Sequence, residues 1–218
     1  MPRTKEQNEK LRSQRMEAIL QGTLKVYVEH GYAAADIGDV AQRAGVARGL
    51  IYYYFKDKRT LFRSLFVRMF DISNLHVSIH FSQDVASLIL FEQFLNQMYD
   101  KMIEQSDYVL FFFRMRHDLH ALFTQEELKQ MKWKSEDMSV FTEAIRKGIE
   151  SSEIRNMAPA LLAGQFWAAL MRGMMYLHQH SKELKQSGKG KQEILTIMER
   201  DKCDAITSCM AMLKADVR

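Results

Sequence analysis

Apolar side chains recur at helical spacing along most of the chain, and no run alternates at the two-residue period of a β-strand. Such spacing places them on one face of a helix. Only two prolines, Pro2 and Pro159, interrupt the pattern. The pattern therefore predicts an all-α protein, and one representative stripe is formed by Leu88, Phe91, Leu95, Met98 and Met102.

Six helices are predicted after residue 57. Thr124 and Glu127 form a capping box at the start of one of them, and Pro159 suits the first turn of the next. The polar segment 185–191 is the clearest linker. The predicted helices cover about 58–81, 85–105, 108–123, 124–150, 159–183 and 192–214.

Two short helices joined by a glycine turn are predicted between residues 36 and 55. Asp36 is suited to cap a helix that begins near Ile37. Gly45 stands where a helix ends in the left-handed conformation that glycine adopts readily. A second helix then starts at Arg48, with apolar residues four apart on its inner face. This arrangement predicts a helix-turn-helix, whose second helix enters the major groove of DNA.

Between about residues 11 and 65, a pattern of fixed spacing is formed by Gly31, Tyr32, Ile37, Val40, Ala41, Ala44, Gly45, Val46, Gly49, Ile51, Tyr52, Tyr54, Phe55 and Lys58. With this pattern the segment resembles the tetracycline-repressor (TetR) family of bacterial one-component regulators. The resemblance implies about nine helices in two domains. Residues 1–57 would form a three-helix DNA-binding head, and residues 58–218 a helical domain for effector binding and dimerisation.

The resemblance also implies which residues contact DNA. Residues 48–50 would face base edges, with Arg48 suited to guanine and Leu50 to the methyl group of thymine. Tyr52, Tyr53 and Lys58 would contact phosphates, although packing within the core is an alternative for the tyrosines. The complete predicted DNA-binding set is Asp36, Arg43, Arg48, Gly49, Leu50, Tyr52, Tyr53 and Lys58.

Charge supports a DNA-binding N-terminal region independently of any family. Residues 1–65 contain 12 Lys and Arg against 7 Asp and Glu, a net charge of +5, whereas residues 66–218 carry a net charge of −1. The positive field is therefore concentrated at the end that would meet phosphate. Neither an 18-residue apolar stretch nor a signal peptide is present in the sequence, so we expect a cytoplasmic protein without a membrane partner.

The remainder of the chain is rich in aromatic and methionine side chains, and methionine adapts to varied ligand shapes. We therefore expect a pocket for a small apolar or aromatic effector, with Arg114, His117 or Gln165 as polar contacts. Ordinary core packing is the alternative for each lining residue. The predicted lining comprises Phe94, Met98, Met115, Phe141, Trp167, Met171 and Met175.

A homodimer formed by the last two helices is also implied by the resemblance, as a four-helix bundle. A single head reads few base pairs, whereas two heads read half-sites about one helical turn, or a multiple of it, apart. The predicted interface positions are Gln165, Trp167, Leu170, Met174, Ile206 and Met210.

Rival functions have weaker support in the sequence. His76 and His80 are four residues apart and His117 and His120 three apart, which suits metal chelation. No nucleophile-elbow, Walker or paired-cysteine motif accompanies them. We therefore expect a repressor that an effector releases from a palindromic operator, with no metal, cofactor or enzymatic activity. The alternatives are an activator, an effector-independent DNA-organising regulator, or a helical metal- or small-molecule-dependent enzyme.

Overall fold

The computed structural model describes residues 5–130 and 133–215, with the backbone alone for residues 133–137. All regular structure in these ranges is helical, apart from a single β-bridge between Ile154 and Lys214. The predicted all-α class is confirmed. The helices are α1 (Lys5–Ala34), α2 (Ile37–Ala44), α3 (Arg48–Tyr54), α4 (Lys58–Phe81), α5 (Ser87–Glu104), α6 (Ser106–Leu122), α7 (Gln125–Gln130), α8 (Trp133–Glu150), α9 (Pro159–Gln186) and α10 (Lys191–Leu213).

The described ranges contain ten helices where the sequence pattern predicted nine. The predicted helix at 124–150 corresponds to α7 and α8, and residues 131 and 132 between them lie outside the described ranges. The expected capping box is present, because the backbone N–H of Glu127 donates to Oγ1 of Thr124 at 3.2 Å and the reciprocal bond measures 2.8 Å. No helix of the described chain combines the length and apolarity needed to cross a membrane.

Packing divides the chain into two compact units. The first comprises the described residues up to Asp71 together with Leu110–Gln130. The second comprises Ile72–Val109 together with the described residues that follow Gln130. Helices α4 and α6 each contribute residues to both units. The predicted boundary after residue 57 separates a DNA-binding head from a domain for effector binding and dimerisation. It is a division by function, which the packing units do not test, and it stays a prediction.

An aromatic core on α1, α4 and α6 holds the first unit together. Tyr27, Phe62, Phe66 and Phe111 are fully buried. Their rings meet at centroid distances of 4.8–6.0 Å, mostly edge to face. Pairs of this geometry contribute about 0.5–1.5 kcal/mol beyond the burial of apolar area. The part of α6 that contains Phe111 therefore belongs to the same core as the long helix α1.

A second aromatic cluster lies in the other unit, on α4, α5, α8 and α9. Phe141 of α8 contacts Phe81 and Phe94 at centroid distances of 5.0 and 5.4 Å. Phe91 of α5 meets Phe166 of α9 at 4.8 Å. These rings are contributed by four helices, so their burial fixes the arrangement of α5, α8 and α9 around the end of α4.

Candidate nucleic-acid interface and effector site

The helix-turn-helix forms where the sequence predicted it. Oδ1 of Asp36 accepts a hydrogen bond from the backbone N–H of Gly38 at 2.5 Å and caps α2. Gly45 ends α2 in the left-handed conformation, with φ of 65°. Its N–H and that of Val46 bond to carbonyls of the preceding turn at 3.2 and 3.0 Å. Helix α3 then begins at Arg48, so the predicted boundaries are confirmed.

The cap also explains why residue 38 is a glycine. A Cβ atom at Gly38 would lie 2.7 Å from Oδ1 of Asp36, so any side chain would push this carboxylate away from the helix terminus. Asp36 thus has a structural role in the protein itself. A contact between Asp36 and DNA remains a prediction.

Helix α3 has a buried side and an exposed side. Ile51 is 1% exposed and Phe55, directly after the helix, is 4% exposed. Leu50 is half-buried. The opposite side, which we call the α3 face, consists of Arg48, Gly49, Tyr52 and Tyr53.

The α3 face is charged, aromatic and accessible. Tyr53 is 78% exposed and Tyr52 is 45% exposed. The guanidinium of Arg48 lies 6.0 Å from the centre of the Tyr52 ring. A Cβ atom at Gly49 would meet no other atom within 4 Å, so the protein's own packing does not require glycine there. The face thus combines donors for phosphates and base edges with a position that allows close backbone approach.

Two other residues of the predicted DNA-binding set already have partners within the protein. Arg43 forms a bidentate ion pair with Glu29 at 2.5 and 2.7 Å. Lys58 donates to the carbonyl of Ala33 at 3.0 Å and lies 5.0 Å from the centre of the Tyr32 ring. Exposed ion pairs contribute only about 0.2–1 kcal/mol, so a DNA phosphate competes readily for such a cation.

Sequence reasoning missed a cap that α6 provides for α1. The helical conformation of α1 is interrupted at Gly31, where φ is 76°. This leaves carbonyls of the preceding turn without amide partners. Arg114 of α6 donates to the carbonyls of Val28 and Glu29 at 2.7 and 3.2 Å. Arg114, predicted as a polar contact for an effector, is therefore engaged with α1 in the first unit.

The C-terminus of α6 is capped in turn by α4. Arg59 and Arg63 donate to the carbonyl of Leu122 at 2.9 and 2.8 Å. Arg63 also forms a bidentate ion pair with Glu127 at 2.5 and 3.0 Å. The start of α4, directly after the helix-turn-helix, is therefore fastened to the end of α6 and to α7. Only the positive charge of the two arginines was visible in the sequence.

The predicted effector residues are partly brought together. Phe94 and Phe141 are buried and belong to the aromatic cluster of the second unit, and the ring of Trp167 lies 5.7 Å from that of Phe141. Core packing accounts for the burial of Phe94 and Phe141, whereas Trp167 is half-buried.

The predicted methionines are more scattered. Met98 and Met171 are half-buried, and Met175 is 48% exposed. Met115 is buried but belongs to α6 residues of the first unit. Two of the polar contacts proposed with them, His117 and Gln165, are exposed. A role for this set in effector binding stays a prediction.

An open cleft of about 830 Å³ lies in the second unit, between the end of α4, the start of α5 and α8. None of the seven predicted effector residues lines it. Its walls are mixed, with serine and charged side chains beside a few apolar ones. The lining residues are Ser78, Phe81, Ser82, Gln83, Asp84, Val85, Ala86, Ser87, Leu90, Ser139, Val140, Glu143, Ala144, Lys147, Ser151 and Glu153.

The histidine pairs do not assemble a metal site in the described part of the chain, where no group of three or more potential ligands is found. His80 is buried and its Nε2 lies 2.8 Å from the carbonyl of Leu90. Nε2 of His76 lies 3.3 Å from Nζ of Lys101. The Nε2 atom of each of these two histidines therefore has a partner within the protein.

Helices α2 and α3, joined by the turn at Gly45, form a helix-turn-helix with an exposed cationic and aromatic face, which is the arrangement of a DNA-binding domain. Residues 19–65 match the family model described as bacterial regulatory proteins, tetR family. The helix-turn-helix segment of this chain is therefore similar to that of this family.

Curated relatives match a segment of about the same length. Over 53 residues the chain is 38% identical to the HTH-type transcriptional repressor AcnR of Corynebacterium diphtheriae, a match that covers 24% of this chain and 28% of the relative. The chain thus spans about a quarter of the length of the curated relatives it matches.

Over nearly the whole chain, the fold is similar to a TetR family transcription regulator from Marinobacter aquaeolei. The TM-score is 0.69 at 18% identity, with 94% of this chain and 98% of the other covered. The regulator FadR of Bacillus subtilis, solved in complex with stearoyl-CoA, gives a TM-score of 0.61 at 16% identity, with 88% and 97% covered. At these identities the likeness shows the fold alone.

Proposed function

We propose that this chain is a homodimeric transcriptional repressor that a small apolar or aromatic effector releases from a palindromic operator. The observation that carries the proposal is the α3 face, where Arg48 and two exposed tyrosines stand opposite the buried Ile51. A helix with one side anchored in the core and a cationic, aromatic side exposed suits insertion into the major groove. A DNA-binding regulator of this kind acts in the cytoplasm.

Dimerisation through α9 and α10 follows from what these helices expose. Four of the predicted interface residues, Leu170, Met174, Ile206 and Met210, are at most 8% exposed within one protomer and so offer a partner little surface. Both helices nevertheless present large apolar side chains to solvent, which supports a covered face. The most exposed are Leu161, Met175, Tyr176 and Leu195, at 52, 48, 47 and 43%.

Two features support a response to an effector. These are the aromatic cluster of the second unit and the two helices, α4 and α6, that contribute residues to both units. FadR is a structural neighbour that holds an acyl-CoA, and the aromatic cluster around Phe141 offers an apolar environment for a ligand here. Helices α4 and α6 run from this unit into the unit that carries the helix-turn-helix. An effector that binds one conformation of α4 and α6 better than the other shifts the operator equilibrium. Changing a 99:1 ratio to 1:99 requires about 5.5 kcal/mol of differential binding.

Fluorescence anisotropy with DNA from the upstream regions of the source genome tests the DNA-binding proposal. We expect sequence-selective binding with a steep salt dependence, which Arg48→Ala weakens. Arg116→Ala is the matched control, because it removes the same charge from an exposed position on α6. Equal binding by wild type and Arg48→Ala at every salt concentration would refute the role of the α3 face.

Sedimentation velocity tests the proposed dimer. Met175→Glu places a charge in the exposed apolar surface of α9 and should shift the protein toward monomer. Gln192→Glu adds a negative charge at an exposed position on α10, outside the set of exposed apolar residues, and should leave the dimer intact. A monomeric wild-type protein at micromolar concentration would rule out the homodimer.

A further inference from the structure

Lys101 of α5 and His76 of α4 form a half-buried basic pair in the second unit. Nζ of Lys101 lies 3.3 Å from Nε2 of His76. Burial lowers the pKa of Lys101. The pKa of His76 is lowered by burial, then by Lys101 and by His80. Burial and the repulsion between the two cations therefore both disfavour the charged forms of Lys101 and His76.

The pair has no counter-ion among the described side chains, since none of their carboxylates lies at ion-pair distance from Lys101. Lys202 shows the usual solution, because its Nζ contacts Asp100 at 2.7 Å and Glu199 at 3.2 Å. An ammonium group has three N–H donors, and Nε2 of His76 accepts one of those of Lys101. Two basic side chains in such a setting suit an anion supplied from outside the chain.

Apolar and aromatic groups flank the pair. Phe94, Met98 and Lys101 are spaced by four and three residues and share one face of α5. The ring of His76 lies 6.3 Å from that of Phe94, and Nζ of Lys101 lies 6.0 Å from the centre of the Tyr108 ring. Phe94 and Met98 are both members of the predicted effector lining. The basic pair thus stands at one end of an apolar stripe.

We propose that Lys101 and His76 bind the carboxylate of an apolar organic acid, whose hydrocarbon part lies along the half-buried Met98. This proposal rests on the effector-responsive function above and assigns the effector its chemical class. A carboxylate accepts a hydrogen bond from each basic group and supplies the missing negative charge.

Binding of the acid is coupled to a proton. In the free protein, neutral His76 accepts a hydrogen bond from Lys101. When the carboxylate binds, His76 takes up a proton from solvent, and its ring then donates to the acid. The groups that act on His76 are Lys101 of α5 and His80 of α4, which oppose this protonation, and Tyr108 of α6 borders Lys101. Acid binding therefore strengthens as pH falls toward the pKa of His76 in the free protein, which burial and the neighbouring Lys101 and His80 keep below the ordinary 6.5.

Isothermal titration calorimetry with octanoate and benzoate, each compared with its neutral amide, tests the site. We expect the acids to bind at least tenfold more tightly than octanamide and benzamide. Lys101→Met abolishes this preference, while Lys185→Met removes a charge from an exposed position on α9 and keeps it. In buffers of different ionisation enthalpy, wild type takes up a proton on binding and His76→Gln does not.

Three results would overturn the anion site. These are equal affinity for acids and amides, an acid preference that survives Lys101→Met, and the absence of binding by either acid at millimolar concentration. Operator release, measured in parallel, separates this failure from that of the proposed function. If the acids bind through Lys101 but the operator complex persists, induction by this site fails and the site stands. If a neutral compound releases the operator equally from wild type and Lys101→Met, induction stands and the acid class is wrong.

Discussion

The hydroxyl of Tyr27 on α1 donates a hydrogen bond to Oδ2 of Asp118 on α6 at 2.9 Å. The backbone N–H of Tyr32 lies 3.5 Å from the same oxygen. Burial of the phenol, and then its hydrogen bond to Asp118, raise the pKa of Tyr27 well above its ordinary value. The phenol therefore stays protonated and remains a donor throughout the working pH range. With the Arg114 cap, this bond fastens α6 to the helix that precedes the helix-turn-helix.

Tyr27→Phe should destabilise the protein by about 1.5–3 kcal/mol, because it removes a hydrogen bond to a charged acceptor and leaves that acceptor partly buried. Urea denaturation followed by circular dichroism measures the change. Tyr53→Phe is the control, since that hydroxyl belongs to a 78% exposed side chain and its loss should leave the urea midpoint unchanged. Equal midpoints for Tyr27→Phe and wild type would show that the bond contributes nothing to stability.

Gly49→Ala should separate folding from DNA binding. A Cβ atom at this position has open space, and alanine favours the helical state over glycine by up to about 1 kcal/mol. We therefore expect an equal or higher melting temperature. If the backbone of α3 approaches base edges closely at residue 49, the same methyl group should weaken operator binding at least tenfold in an anisotropy titration. Unchanged operator affinity would contradict the proposed docking of the α3 face.

Two glycines of α9 should respond oppositely to the same substitution. A Cβ atom at Gly173 would overlap with the hydroxyl of Tyr99, a fully buried and rigid side chain, whereas at Gly164 it would meet nothing. Gly173→Ala should therefore destabilise the protein by about 1–3 kcal/mol, and Gly164→Ala should stabilise it by up to about 1 kcal/mol. Differential scanning calorimetry of both variants decides this, and similar shifts would show that α9 does not approach α5 so closely.

Glu127 should make stability depend on pH in the acid range. Its hydrogen bonds with Arg63, then with the N–H of Thr124, lower the pKa of Glu127 to about 2 from the ordinary 4.5. A depressed pKa in the folded state gives a stabilisation that is complete above pH 4.5 and is lost as pH falls toward 2. Arg63→Met should raise the pKa of Glu127, as side-chain NMR titration would show.

The stability difference between Arg63→Met and wild type should accordingly shrink between pH 4.5 and 2. It should not vanish, because Arg63 also caps α6 through Leu122 and its guanidinium lies 4.5 Å from the centre of the Phe123 ring. Arg116→Met, which loses an exposed charge on α6, should show no such pH dependence. A constant difference for Arg63→Met over this range would argue against the ion pair.

The sequence by itself determined the helix-turn-helix and the helical class. Asp36, Gly45 and the Thr124 capping box act through hydrogen bonds and torsion angles within a few residues, so their consequences can be read from neighbouring letters. The spacing of Ile51 and Phe55 likewise separated the buried side of α3 from its exposed side, because that separation requires only the 3.6-residue period.

The tertiary structure alone decided which helix meets which. Periodicity marks the apolar face of α6 but does not name its partner, so only the structure could show that Arg114 and Met115 lie in the same unit as α1. Their role as effector contacts stays a prediction. In α9, both the inner and the outer side are apolar, and only packing shows that Met174 is buried in the protomer while Met175 is exposed. The 3.3 Å contact of His76 with Lys101 joins residues on two helices, and such contacts depend on the docking of whole helices rather than on any local signal.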